Sequence, residues 1–298
     1  MSENEALDKA RTHYNRGVEH YDVNNYAEAV YEWEQAISCD SSYLPAHFNL
    51  GVVYGKMGKE KEEDAIRCYL KVIELDSKHF GAHFNLGVKY GGSGREKQAV
   101  EHLTKAIEID PNHASAYSHR GRYGLSVLTY DEQIRDFKRA IELNPNFGMA
   151  YLSMADAELN EAQINPIGVL RKWVLLHNAI KFADKGTELM HPSQLSMSML
   201  VYIPIGHELC NLAMEIFNFV KDSDKNFNMV SIKLGAMTGE PSMTKNHKNI
   251  YQKAVYCFNK ALEISRKDSV SAEYLRGLSG KPLVQIISET QQILDSIQ

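Results

Sequence analysis

The chain has 298 residues, of which 44% are apolar and 24% charged, with a formal net charge of −5. That balance excludes disorder and disfavours broad electrostatic binding to nucleic acid, which needs clustered Lys and Arg. The longest charge-free apolar stretch, residues 195–206, is interrupted by Ser196, Ser198 and Pro204 and is too short to span a bilayer.

Helical units are predicted in chain order. The first carries Gly17, Ala29, Trp33 and Ala36 as its markers. The second carries Leu50, Gly51, Tyr54, Ala65, Tyr69 and Val72, and the third Leu86, Gly87, Tyr90, Ala99, Leu103, Ala106 and Pro111. A fourth has Tyr117, Gly121, Phe137, Ala140 and Pro145, and a fifth starts at Gly148 and then fades. The segment from Ala46 to Gly55 returns from Ala82 to Gly91 with only Val53 replaced, by Lys89. A recurrence at this distance marks a stacked repeat protein.

The markers have physical reasons. Antiparallel helices approach closely where side chains are small, so Gly51 is expected to face a neighbour such as Ala65. The large residue four positions after the alanine, Tyr69 or Phe137, is expected to fill the gap between successive hairpins. Pro111 and Pro145 stop the second helix of their units. Asp40, Asp76, Asp110 and Asn144 stand near the next helix start, where a negative end suits the helix dipole. The second unit is two residues longer than its neighbours, and the turn near residues 58–63 is where the excess belongs.

Leu-Gly-x-x-Tyr, then Ala, then a large residue, then Ala and Pro, resembles the tetratricopeptide repeat. Residues 105–111 (Lys-Ala-Ile-Glu-Ile-Asp-Pro) and 139–145 (Arg-Ala-Ile-Glu-Leu-Asn-Pro) are phrases of that family. The resemblance covers residues 10–147. It implies an all-α fold, a right-handed superhelix (solenoid) of antiparallel helix pairs with an irregular helical C-terminal part. The expected organisation is a repeat domain over 1–160 and an irregular extension over 161–298. The extension holds one degenerate repeat near 246–266, an exposed loop near 235–246, and an amphipathic capping helix over 281–297.

In the family, first helices line a concave groove. Carried over by position, that groove takes an aromatic row (Tyr14, Phe48, Phe84), an amide row (Asn15, Asn49, Asn85) and a valine row (Val18, Val52, Val88). In the fourth unit the positions hold Ser118, His119 and Arg122. A carboxamide has a donor and an acceptor, and can pair with an extended peptide backbone. The same asparagines could instead bridge neighbouring first helices, and the aromatics could pack on the next repeat. The charged clamp by which some relatives hold a C-terminal carboxylate has no counterpart at Tyr14, Val18, Gly81 and Asn85, although Asn49 fits it.

No catalytic motif is present. The run Gly91-Gly92-Ser93-Gly94 lacks phosphate-loop spacing and reads as a turn. The four cysteines form no C-x-x-C pair, and the twelve histidines are scattered. The expectation is a cytoplasmic, non-catalytic scaffold without cofactor, metal, nucleic acid or membrane. It would bind a protein or peptide segment of low-micromolar affinity, about −8 kcal/mol. Two alternatives are a homo-oligomer built through the C-terminal amphipathic helix, and a regulatory or enzymatic module within 165–245.

Overall fold

A computed structural model describes residues 3–164, 169–191 and 201–209, with single positions at 194, 197–198, 211, 252–253, 256–257, 259–260, 288 and 291–292. The predicted loop at 235–246 lies outside the described residues. So does most of the degenerate repeat, of the capping helix and of the proposed module in 165–245.

Every element in the described part is a helix: α1 (Glu3–Asp22), α2 (Tyr26–Cys39), α3 (Leu44–Lys56), α4 (Glu62–Leu75), α5 (Phe80–Gly92), α6 (Glu96–Ile109), α7 (Ala114–Tyr123), α8 (Tyr130–Leu143), α9 (Gly148–Gln163) and α10 (Val169–Leu189), plus one 3-10 turn at Lys59–Lys61. The fold is an all-α solenoid of antiparallel helix pairs. It divides into two compact units, Met1–Asp136 and Phe137–Gln298, with the boundary inside α8.

In the first unit α1 packs on α2, α3 on α4 and α5 on α6. The glycine of the first helix sets the approach, and the atoms nearest to it belong to the large residue of the second helix. A Cβ at Gly51 would lie 2.6 Å from the Tyr69 ring, one at Gly17 2.4 Å from Trp33, and one at Gly87 2.5 Å from Leu103. The small residue therefore receives the large residue of its own hairpin, and that large residue is fully buried or nearly so. Trp33 also donates its indole N–H to the carbonyl of Tyr14, at 3.1 Å. This satisfies the polar edge of a ring that is otherwise out of water.

The corners between repeats follow one pattern. Asp40 donates its backbone N–H to Ala36, Asp76 to Val72, Asp110 to Ala106 and Asn144 to Ala140, which ends each second helix. The side chains of the same four residues then accept the backbone N–H two positions on, from Ser42, Lys78, Asn112 and Asn146. These residues thus close Asx turns, a role beyond the expected one toward the next helix dipole. The turns at the opposite edge vary. Gly58, at φ 104°, opens the 3-10 turn that absorbs the two extra residues of the second repeat. Gly94, at φ 75°, makes the turn between α5 and α6 in the run that superficially suggests a phosphate loop. Before α8, Thr129 and Glu132 form a reciprocal capping box, each side chain accepting the other's backbone N–H.

In the second unit α9 and α10 form a longer pair. They cross closely where a Cβ at Gly148 would lie 2.9 Å from the carbonyl oxygen of Gly186. Arg171 of α10 pairs with Glu161 of α9, and Lys172 of α10 with Glu208 at 3.0 Å. Asp184 accepts from the phenols of Tyr202 (2.6 Å) and Tyr256 (2.8 Å).

Candidate ligand face of the first helices

The residues of the three rows come from α1, α3, α5 and α7. These helices touch one another through side chains as well as through their hairpin partners. Asn49 Nδ2 donates to the Tyr14 hydroxyl at 3.2 Å, joining α3 to α1. Lys89 Nζ donates to the carbonyl of Gly55 at 3.2 Å, joining α5 to α3. Phe84 lies edge-on to His119 at 5.5 Å, joining α5 to α7.

The rows differ in how far they are committed to packing. Asn15 is exposed, whereas Asn49 and Asn85 are half-buried. Asn49 spends one of its two N–H donors on Tyr14, and Asn85 hydrogen-bonds the Tyr69 phenol, whose own ionisation is disfavoured chiefly by burial. Val18, Val52 and Val88 are each half-buried. Phe48 is half-buried and meets Tyr69 at 5.8 Å and His79 at 4.9 Å. Phe84 stacks with Phe80 at 5.8 Å and an interplanar angle of 13°. The bridging alternative for Asn49 and the next-repeat packing of the aromatics are thus both realised, with part of each side chain left at the surface.

One set of residues was not foreseen. The position before each first helix holds Tyr43, His79 or His113, and each ring packs on the aromatic row of the preceding repeat: Tyr43 on Tyr14 at 5.6 Å, His79 on Phe48, His113 on Phe84 at 5.2 Å. His79 also caps α5, accepting the Ala82 backbone N–H at 3.1 Å. His113 makes no such cap, and its buried Nδ1 has no hydrogen-bond partner among the described residues. The signal was in the sequence: these rings stand three residues before the repeated alanines Ala46, Ala82 and Ala116.

The fourth repeat closes the strip. His119 stacks on Tyr123 at 5.5 Å with an interplanar angle of 13°, and the exposed guanidinium of Arg122 lies 5.7 Å over the same ring. Burial pushes the His119 imidazolium down to about 4, helped by the charges of Arg122 and His113. His119 is therefore a neutral ring at physiological pH. Ser118 is buried and offers nothing to the surface.

On the opposite side of the hairpins a second ladder joins first helix to second. His13 Nδ1 meets Glu32 at 2.7 Å and His83 Nδ1 meets His102 Nδ1 at 3.1 Å. Arg120 grips Asp136 through two bonds of 2.8 and 2.6 Å. The Cys68 thiol on this side is pushed up to about 11 by burial and by the nearby Asp64 carboxylate, so it stays protonated. Among the described residues no group of three or more His, Cys, Asp or Glu is placed to hold a metal ion. None of their helices is long and apolar enough to cross a membrane.

Comparison with known proteins agrees with this geometry. Family models described as TPR repeat and tetratricopeptide repeat match residues 17–58, 44–79 and 80–113. No curated protein sequence matches the chain. Among solved structures, MamA (41-end) from Desulfovibrio magneticus RS-1 is 15% identical with a TM-score of 0.53, over 61% of this chain and 97% of that one. A MamA RS-1 double mutant is 18% identical with a TM-score of 0.53, over 61% and 94%. Another MamA structure is 21% identical with a TM-score of 0.51, over 61% and 92%. At these identities the likeness is one of fold.

Proposed function

Residues 17–113 of the chain are tetratricopeptide repeats, and on that premise we propose that the protein is a non-catalytic interaction scaffold that holds an extended peptide segment against its first helices. The observation that carries this reading is the set of equivalent side chains in α1, α3 and α5, half-buried at every position but the exposed Asn15. Each aromatic is braced from behind by a ring of the next repeat, and each asparagine keeps hydrogen-bonding capacity toward solvent. Bracing fixes the rotamers before a ligand arrives, which lowers the ordering cost of binding. A peptide backbone offers the donors and acceptors that amides match, at about 0.5–1.5 kcal/mol net per bond.

Photo-crosslinking tests the face directly. A crosslinking residue at Asn15 or Val88 is expected to trap a partner, whereas one at the exposed positions Tyr31 or Leu70 of the second helices is not. Equal trapping at both sets of positions would remove the first helices from the reading.

A further inference from the structure

Charge is sorted between the two layers of helices in the first unit. From the second repeat onward the first helices carry no acidic residue: α3, α5 and α7 contain neither Asp nor Glu. Their partners are rich in both, as with Glu62, Glu63 and Asp64 in the first turn of α4. The acids of the second layer are engaged locally. Glu63 meets Arg95, Asp64 meets Lys61 and Arg67, Glu96 accepts from Ser126, and Asp136 holds Arg120.

Among the cations of α3, α5 and α7, Arg120 is matched in this way, whereas Lys56, Lys89 and Arg122 are not. On a wheel of about 100° per residue, Lys56, Lys89 and Arg122 fall on or beside the arc that carries the Phe, Asn and Val rows. Each rests on a neutral surface. Lys56 Nζ lies 4.5 Å over the Tyr21 ring, Lys89 Nζ donates to the Gly55 carbonyl, and Arg122 lies over Tyr123. None of the three has a carboxylate partner among the described residues. One such cation in each of three consecutive repeats, two of them over tyrosine rings and none with a carboxylate partner among the described residues, is complementary to an anionic chain that also presents apolar side chains.

Resting on the peptide-scaffold reading above, we propose that the partner segment is acidic: an extended peptide whose Asp or Glu side chains pair with Lys56, Lys89 and Arg122 while its apolar residues lie on Phe48 and Phe84. Recognition is through side-chain carboxylates along the segment. The three cations come from three consecutive repeats, so the acids of the ligand are spread along it. Exposed pairs of this kind act chiefly on encounter rate and selectivity, and they weaken with salt.

The test is selection of random twelve-residue peptides displayed on phage, using the full chain as bait. The enriched peptides are expected to be acidic and to contain aromatic or aliphatic residues. Their synthetic forms should bind about tenfold more weakly when every Glu becomes Gln, and by a similar factor to the triple variant Lys56→Gln/Lys89→Gln/Arg122→Gln. Neutral or basic winners, or Gln forms that bind as well as the Glu forms, would overturn the charge assignment while leaving the face in place. Winners that crosslink to Tyr31 rather than Val88 would overturn the face itself. Displacement of the acidic peptides by single-stranded DNA at equal charge concentration would overturn the choice of a peptide as ligand.

Discussion

Gly87→Ala and Gly92→Ala place the same methyl group twice in one helix, and the structure assigns them opposite effects. Either change gains helix propensity, up to about 1 kcal/mol. At Gly92 the new Cβ meets nothing within 4 Å. At Gly87 it would lie 2.5 Å from Leu103 Cγ, with the Ala99 carbonyl at 3.2 Å on its other side. Carbon atoms in contact sit about 3.5–4.0 Å apart, so α5 and α6 must separate by roughly 1 Å. Leu103 is fully buried. Overpacking of this kind costs about 1–3 kcal/mol. Against the propensity gain, Gly87→Ala should lose about 1–2 kcal/mol and Gly92→Ala should be neutral or gain up to about 1 kcal/mol. Urea denaturation followed by circular dichroism reads the difference. Equal midpoints for the two variants would refute the assignment of Gly87 as the contact that sets the hairpin spacing.

Acid is expected to weaken the fourth repeat. The folded chain holds His119 at about 4 against an ordinary value of 6.5, so the unfolded chain takes up its proton first. The contribution is whole above pH 6.5 and is lost as pH falls toward 4, by about 3 kcal/mol at pH 4. His119→Phe keeps a ring between Phe84 and Tyr123 without a titrating group, so its stability should fall less between pH 7 and 4 than that of the parent chain; parallel pH profiles would count against this. Asp136→Asn should cost about 3–5 kcal/mol by stranding the Arg120 guanidinium in a mostly buried place, and the double variant Arg120→Leu/Asp136→Leu should recover most of it. Thermal melts of the three proteins decide, and a double variant no better than Asp136→Asn would point to shape rather than charge.

The helix pairs, their glycines and their stops were legible because they rest on local periodicity and turn chemistry, which a chain displays in order. The partner of each glycine was not. Periodicity says which face of α3 Gly51 occupies, but whether Ala65 or Tyr69 meets it depends on the axial register of α4, and nothing local fixes that. The Asp40 and Asp76 side chains hold a further role that position alone did not give: each accepts a neighbouring backbone N–H, a bond that only the corner geometry decides. The aromatic, amide and valine rows could be listed from position alone. Their division of labour could not, since Asn49 acquires its bond to Tyr14 only when α1 and α3 lie side by side. The unmatched Lys56, Lys89 and Arg122 stood in the sequence as ordinary surface charges. They became informative once the acids were seen to be gathered on the other layer.

The two edges of the stack are built to different standards. At one edge the four corners repeat the same backbone and side-chain bonds, so a residue added there would break a pattern on which the stacking of repeats depends. At the other, the second repeat has already taken in two residues as a single 3-10 turn without disturbing the helices on either side. That edge is where this architecture can be lengthened, tagged or diversified by insertion, while the rows on the first helices keep their alignment.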